Sequence, residues 1–449
     1  MKNNKRYFVD LFAGCGGLSL GLENAGFTPL LVNELSDEAR ATYIENRVEF
    51  EHLDGSLIDD PNHPWVWKDV KQLRKYLSEN SPGFCSKVEE RFGLNILKGE
   101  LDLLVGGPPC QGFSGIGHRR SYAVDKKNIL SNHLYEDMMY LIDKLRPKMF
   151  LFENVRGLLS AKWDSDGEKG EIWRDIRQTY KLHLGKNYQM GWHLVRAKDY
   201  GVPQNRPRVL LVGVRKDLNW TPLACGLDEE GILLYDSKLR AGGLLPLPTL
   251  RPPSINDLLG DLVDPEYKPG QAATEMYPLP VSKNKSSVQR LLRIDKGGQK
   301  VLPKGHILTE HEYSRHKDQV VEKFRYMLDN NGKIHEKHKT KKFAQRVLPK
   351  EWKNGEPSIT ATSLPDDYVH FSQPRVPSVR EWARLQFFPD WYQFSGKRTT
   401  GGIRRAGNPR ENNFDREVPK YTQIGNAVPV RMAEEVGKHF MTIIKAAEG

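Results

Sequence analysis

The sequence predicts an α/β chain built on a mostly parallel sheet, and two observations carry that prediction. Short apolar runs of strand length recur through the first half: YFVDLF (7–12), LLV (30–32), LDLLVGG (101–107), KMFLFENV (148–155) and RVLLVGVR (208–215). Between them the stretches 17–26, 37–47 and 133–145 repeat apolar residues every three or four positions, the spacing of a helix with one buried face. Strands alternating with helices argue for a parallel sheet, whose ligands bind at the carboxyl ends of the strands. Functional residues are therefore sought in the loops that follow each run.

The first run is preceded by Lys2, Lys5 and Arg6 and faintly mimics a secretory leader. Asp10 interrupts it and glycines follow, so a buried strand and turn is the better reading. That turn, DLFAGCGGLSLG (10–21), sets Gly14, Gly16 and Gly17 just after the strand. Glycines there let the backbone turn tightly and approach a ligand that a Cβ would push away. Glu34, at the end of the second run, is placed to accept hydrogen bonds from ribose hydroxyls. A dinucleotide-binding loop has similar ingredients, but Ser19 stands where its third glycine belongs. An ordinary tight strand-to-helix turn is the other alternative.

The third run leads into GGPPCQGFS (106–114), where two glycines and two prolines present Cys110 at the sheet's carboxyl edge. Cys15, Cys85 and Cys225 read as inert packing, whereas the loop around Cys110 has no apolar periodicity to pack. The fourth run ends in FENV (152–155) and places Glu153 at the same edge. A partly desolvated carboxyl group there is a candidate proton donor. In isolation it reads equally as a helix cap or a surface ion pair. QNRPRV (204–209) opens the fifth run, and strand alternation sets Arg206 and Arg208 on one face. Two guanidinium groups suit a phosphate, a base carbonyl or Glu153; strand-edge charge that discourages aggregation is the bland reading.

Composition bounds the answer from outside. At about 150 residues per domain, 449 residues suggest two or three units. Lys and Arg number 68 against 57 Asp and Glu, a net charge of +11, which permits a polyanionic partner without demanding one. No uncharged apolar run is long enough to suggest a membrane span, and four cysteines exclude a disulfide scaffold and fit a reducing cytoplasm. The charge is concentrated: residues 281–350 hold 18 basic and 7 acidic residues, and KRTTGGIRRAGNPR (397–410) holds five basic residues and no acid. The division read from this is 1–215, a basic irregular segment 216–372, and a return region 373–449. HEYSRH (311–316) spaces its histidines five apart, not the four that share a helix face, so they read as solvated surface and no metal site is expected.

In this order the motifs resemble the cytosine-5 DNA methyltransferase family: DLFAGCGG (10–17), Glu34, GGPPCQGFS, FENV, QNRPRV, RVPSVREWARLQFFPD (375–390) and QIGNAVP (423–429). The resemblance covers most of 1–215 and 373–437; the least similar part, about 216–372, falls where the family carries its variable target-recognition domain. It implies a Rossmann-like methyltransferase fold and S-adenosyl-methionine as cofactor. Phe12 would stack on the adenine, Gly14, Gly16 and Gly17 would surround the methionine part, and Glu34 would hold the ribose. Asp54 is matched to the adenine amino group, although the sequence reads LDGS and Asp59 or Asp60 are alternatives. Pro108, Leu134, Asn426 and Val428 match other pocket positions. Residues 60–100 look like an insertion without an assigned role.

The resemblance also implies a mechanism. The Cys110 thiolate adds to carbon 6 of cytosine, Glu153 serves ring nitrogen 3 and Arg208 steadies the carbonyl oxygen at carbon 2. The target base must leave the duplex to be reached. Gln111, Ser114, Arg206, Arg404 and Arg405 are the expected DNA contacts, with 111–127 as a lid. Duplex DNA is the expected substrate and transfer RNA the nearest competitor; a catalytically dead family member and a nicotinamide oxidoreductase are further alternatives. Intact Cys110, Glu153 and Arg208 speak against the dead member, and Ser19 and the Pro-Pro-Cys loop against the oxidoreductase. A single catalytic unit suggests a bacterial modification enzyme: a cytoplasmic, nucleoid-associated monomer paired with a restriction endonuclease but not held in a stable complex with it.

Overall fold

A computed structural model of the chain describes residues 5–109, 130–164, 166–223, 226–233, 240–248, 250–282, 287–339, 345–400 and 417–448. The apolar runs become β1 (Arg6–Leu11), β2 (Phe27–Asn33), β4 (Leu103–Gly106), β5 (Met149–Val155) and β7 (Pro207–Arg215), joined by β3 (Val66–Trp67) and β6 (Tyr188–Arg196). Between them lie α1 (Gly17–Asn24), α2 (Asp37–Glu45), α3 (Val70–Phe92), α4 (Leu134–Leu145) and α5 (Glu171–Leu184). All seven strands form one sheet in the order β3-β2-β1-β4-β5-β7-β6. Only β7 opposes its neighbours: it is antiparallel to β5 and to β6. The α/β expectation holds.

Strand β6 is absent from the sequence reading for a physical reason. As the last strand of the sheet it alternates buried and half-exposed residues, so YQMGWHLVR carries no apolar run. Strand β7, covered on both faces, is buried almost throughout. The insertion at 60–100 also acquires a place. It supplies β3, which pairs Val66 and Trp67 with Val32 and Asn33, and α3, which kinks at Asn80 just before Pro82. Together they cover the β2 side of the sheet, which would otherwise be an open edge.

Each face of the sheet has its own core. Val9, Leu11, Leu104, Phe150, Phe152 and Leu211 pack against α3, α4 and α5. The alternate residues Phe8, Leu103, Val105, Leu151, Leu210 and Val212 face Leu18 and Leu22 of α1. They also face Val436, Phe440 and Ile444, which come from a helix at the far end of the chain.

After β7 the secondary structure thins to α6 (Arg240–Gly243), α7 (Ile255–Leu259), α8 (Ser287–Leu292), α9 (Asp318–Asp329), β8 (Arg346–Val347) and β9 (Tyr368–Val369). The return region then forms α10 (Val379–Leu385), α11 (Lys420–Asn426) and α12 (Val430–Glu448). A third buried cluster joins Ile255, Leu258 and Leu292 to Trp382, Phe388 and Ile424, and reaches Cys15 and Leu20 beside the glycine loop. One expectation fails here: His311 is not solvated but 1% exposed, with Nδ1 2.7 Å from Ser378 Oγ. Burial lowers its pKa to about 4, so it is a neutral core residue. No helix among the described residues is long and apolar enough to cross a membrane.

Candidate active site

Strand order reverses between β1 and β4, which leaves a crevice beyond their carboxyl ends. Register brings the strand ends level: Leu11 pairs with Asn33 and Gly106, and Gly106 with Phe152. The loops after β1, β2, β4 and β5 therefore open on the same crevice.

The three glycines after β1 do different work. Gly14 has φ +58° and nothing within 4 Å of where a Cβ would stand, so it alone faces open space. A Cβ on Gly16 would come within 2.7 Å of Arg47, and one on Gly17 within 2.4 Å of the Val428 carbonyl. Those two make room for the protein itself, which corrects the view that all three clear a path for a ligand. The loop is braced from below. Arg47 Nη2 donates to Gly16 O (3.1 Å), the Tyr392 hydroxyl donates to Cys15 O (2.6 Å), and the Glu34 carboxylate accepts Gly14 N–H at 2.7 Å. Burial raises the Cys15 thiol to about 12, which leaves it inert.

Phe12 has φ +58°, an outlier for a bulky residue. Asn33 helps to hold it there: Oδ1 accepts Phe12 N–H at 3.4 Å, while Nδ2 donates to Trp67 O (3.2 Å) and Lys68 O (3.0 Å). Strain of this kind clusters at ligand sites. Glu34 accepts Ser36 N–H (2.8 Å) on its other oxygen, and burial raises its pKa against these bonds. With the Leu35 backbone N–H also drawn to this carboxylate, acceptor capacity for one ligand hydroxyl remains. Leu35, next in sequence, is 65% exposed and offers apolar surface beside it. Ser19 has a reason unrelated to any glycine: it hydrogen-bonds buried Asp10. Asn33, Arg47 and Tyr392 were missed by the sequence reading; only the polar Asn33 closing an apolar strand gave a signal.

At the opposite wall Glu153 and Arg208 meet. Because β7 is antiparallel, its first residues lie at the carboxyl end of β5, and Val155 pairs with Arg208. Glu153, two residues from Val155, thus faces Arg208 across the strands, with Oε1 2.6 Å from Nε. Burial lowers the Arg208 pKa and Glu153 opposes that effect. A Cβ on Gly107 would come within 2.8 Å of Glu153 Oε2, so a larger residue there would push the carboxylate aside. Asn154 Nδ2 then ties Pro108 O at 3.0 Å, just before the chain enters Cys110.

Other expectations fare differently. Cys110, Gln111, Ser114, Arg404 and Arg405, with the 111–127 lid, lie outside the described residues. Leu134 is half-buried on the same core face as Phe12, and exposed Asn426 accepts from Ser363 Oγ at 3.3 Å. Val428 lies against Gly17. Asp54 sits in an exposed turn with its carboxylate on Ser56 N–H (2.8 Å), a self-contained Asx turn. Asp59 is tied to the residue that braces Asn33: its carboxylate accepts Lys68 N–H at 2.8 Å, and Lys68 O accepts Asn33 Nδ2 at 3.0 Å. Arg206, expected on DNA, is instead 3% exposed, with both terminal nitrogens on backbone carbonyls. Strand alternation does not apply to it, because it precedes the first residue of β7.

The family model described as C-5 cytosine-specific DNA methylase matches residues 7–442. A type II methyltransferase of Desulfomicrobium norvegicum, M.DdeI, is 30% identical over 444 residues, which span 96% of this chain and 87% of that protein. M.XorII, a type II methyltransferase of Xanthomonas oryzae, is 28% identical over 448 residues, 97% of this chain and 85% of the relative. An Escherichia coli crystal structure, described as a prophage-encoded DNA modification methyltransferase, superposes with a TM-score of 0.62 at 21% identity. It covers 98% of this chain and 100% of that one, and shares the fold.

Proposed function

The chain belongs to the C-5 cytosine-specific DNA methylase family and is a DNA cytosine-5 methyltransferase, and from that premise we propose how its residues divide the work. Cys110 is the nucleophile, Glu153 the proton donor and Arg208 the group that steadies the carbonyl oxygen of a flipped-out cytosine. The observation that carries this reading is the Glu153–Arg208 pair beside the Gly107–Pro108 turn.

Carbon 5 of cytosine is a poor nucleophile until the ring becomes electron-rich. Addition of the Cys110 thiolate to carbon 6, with a proton from Glu153 at nitrogen 3, produces an enamine. S-adenosyl-methionine, when bound, supplies the methyl group that carbon 5 takes. Loss of the carbon-5 proton to a base, departure of the thiolate and return of the nitrogen-3 proton to Glu153 restore the aromatic base. The residues around the crevice fit that donor: Gly14 leaves space, Phe12 turns away just past the end of β1, and Glu34 keeps acceptor capacity for a ribose hydroxyl. Pro108, Leu134, Asn426 and Val428 complete the pocket, with Asp59 rather than Asp54 near the adenine.

The segment 216–372 is the target-recognition domain on the catalytic frame of 1–215 and 373–449, and Arg404 and Arg405 add DNA contacts. The enzyme acts as a cytoplasmic monomer on double-stranded DNA of the nucleoid and is the modification partner of a type II restriction endonuclease. The test is covalent trapping. Duplex DNA with 5-fluorocytosine at the target should give a denaturation-resistant adduct with the wild type and none with Cys110→Ala, which should also transfer no tritiated methyl group. An active Cys110→Ala enzyme overturns the mechanism, and methylation of transfer RNA in preference to DNA overturns the substrate.

A further inference from the structure

We propose that Arg206 is a positioning residue that couples the target-recognition segment to the catalytic pair; the proposal rests on the reading of Glu153 and Arg208 above. Three successive residues grip the chain where it leaves the basic segment. Gln204 accepts Ala361 N–H on Oε1 (2.7 Å) and gives Nε2 to Leu385 O. Asn205 N–H donates to Ile359 O at 2.9 Å, and Asn205 O accepts the Thr360 hydroxyl at 3.0 Å. Arg206 Nη1 donates to Ala361 O (2.8 Å) and Nη2 to Gly425 O (2.5 Å).

Gly425 is itself wedged against this strap, since a Cβ there would come within 2.4 Å of the Thr362 backbone. Three residues later the Val428 carbonyl presses on Gly17 of the cofactor loop. One buried guanidinium thus stands where the strap, the 425–428 turn and the start of β7 meet, two residues before Arg208.

A DNA contact is inconsistent with that burial. No carboxylate pairs with Arg206 among the described residues; burial and the charge of Arg208 both lower its pKa, with Glu153 the only opposing influence. A buried charge is costly to keep, and its rigid two-pronged fork is what an apolar side chain or a lysine cannot supply. Two donors at a fixed angle set the strap and the 425–428 turn relative to the sheet. A movement of 359–361 as the segment engages DNA would pass through Arg206 to Arg208 and its 2.6 Å contact with Glu153.

The experiment compares Arg206→Lys with Thr360→Val, which removes one hydrogen bond at the surface of the same strap. Single-turnover methyl transfer is measured at saturating DNA and S-adenosyl-methionine and scaled to active sites counted by fluorocytosine trapping; duplex affinity is measured separately. Arg206→Lys should slow the step about 100-fold, the scale of a small misplacement of reacting groups. Thr360→Val should slow it roughly threefold to tenfold. Affinity for cognate and random duplex should stay within about threefold in both, because Arg206 is buried and the Thr360 hydroxyl is spent on Asn205 O. A purely structural role would reduce the count of active sites and leave the rate per site at the wild-type value, which overturns the proposal. Weakened DNA binding at an unchanged rate overturns it in favour of a phosphate contact. Should Arg206→Lys fail to fold, a wild-type rate in Thr360→Val decides against it. Activity in Glu153→Gln would instead sink the catalytic reading, which separates the two failures.

Discussion

Glu153 with Arg208, at the carboxyl edge of the sheet, and Glu381 with Arg375, under α10, are both acid–arginine pairs in the interior. Around Glu381 both carboxylate oxygens are hydrogen-bonded, three bonds in all, with a histidine alongside. Arg375 binds both oxygens at 2.6 and 2.7 Å, Ser378 N–H donates at 2.8 Å, and His370 Nε2 lies 3.3 Å away. Both side chains are wholly buried, and Glu381 is held well below the usual carboxylate range against its burial by Arg375 and His370. At Glu153 one oxygen meets one arginine nitrogen, the other faces the Gly107 loop, and both side chains keep some exposure. A carboxylate wholly buried and tied on both oxygens has no face to offer a substrate. An acid with spare capacity beside a crevice can still exchange a proton, and the two pairs are expected to fail in different ways.

Glu153→Gln should produce the largest effect. Losing the proposed proton donor should lower methyl transfer by about 10²- to 10⁴-fold, the usual worth of a positioned acid or base. Stability should change little, and tritium transfer measured beside a urea melt checks both. A Glu153→Gln enzyme within tenfold of wild type would erase the contrast.

Glu381→Gln should do the reverse. It leaves Arg375 buried without its counter-charge, and breaking such a pair costs about 3–5 kcal/mol. The denaturation midpoint should fall by that amount, while the molecules that remain folded methylate at the wild-type rate. A selective loss of rate without loss of stability would move Glu381 into the chemistry.

The smallest effect is expected at a third, exposed pair. Glu448, the last residue of α12, is held by Arg6 and Lys148, and the Arg6 hydrogen bond is the main cause of a pKa of about 2. A carboxylate depressed in the fold adds stability above its unfolded value of about 4.3, and loses that contribution as the pH falls toward 2. Solvent screens this clamp, so Glu448→Gln should cost under about 1 kcal/mol at neutral pH. The gap between wild type and variant should close in melts run near pH 2. A gap that widens on acidification would reverse the assignment.

Much of this organisation could be read from residues in order. Runs such as LDLLVGG and KMFLFENV marked central strands because a strand covered on both faces has no polar residues to interrupt it. The loop motifs marked the crevice, because a parallel sheet has only one edge at which loops can gather. Strand β6 and the α3 insertion escaped, since an outer strand alternates and a helix that covers an edge has no motif to announce it.

Residue types and spacing by themselves determined the fold class and the candidates Glu153, Arg208 and Glu34, because each stands at a strand end that local pattern can find. Tertiary structure alone decided which glycine faces space, that Arg47 and Tyr392 brace the glycine loop, that Asp54 closes an exposed turn on itself, and that Arg206 is interior. Those outcomes depend on what lies across the fold: Tyr392 meets Cys15 from 377 positions away, and Arg206 meets Gly425 from 219. Periodicity reports the face a residue turns, but the chemistry of an arginine is set by whether carbonyls, a carboxylate or water wait on that face.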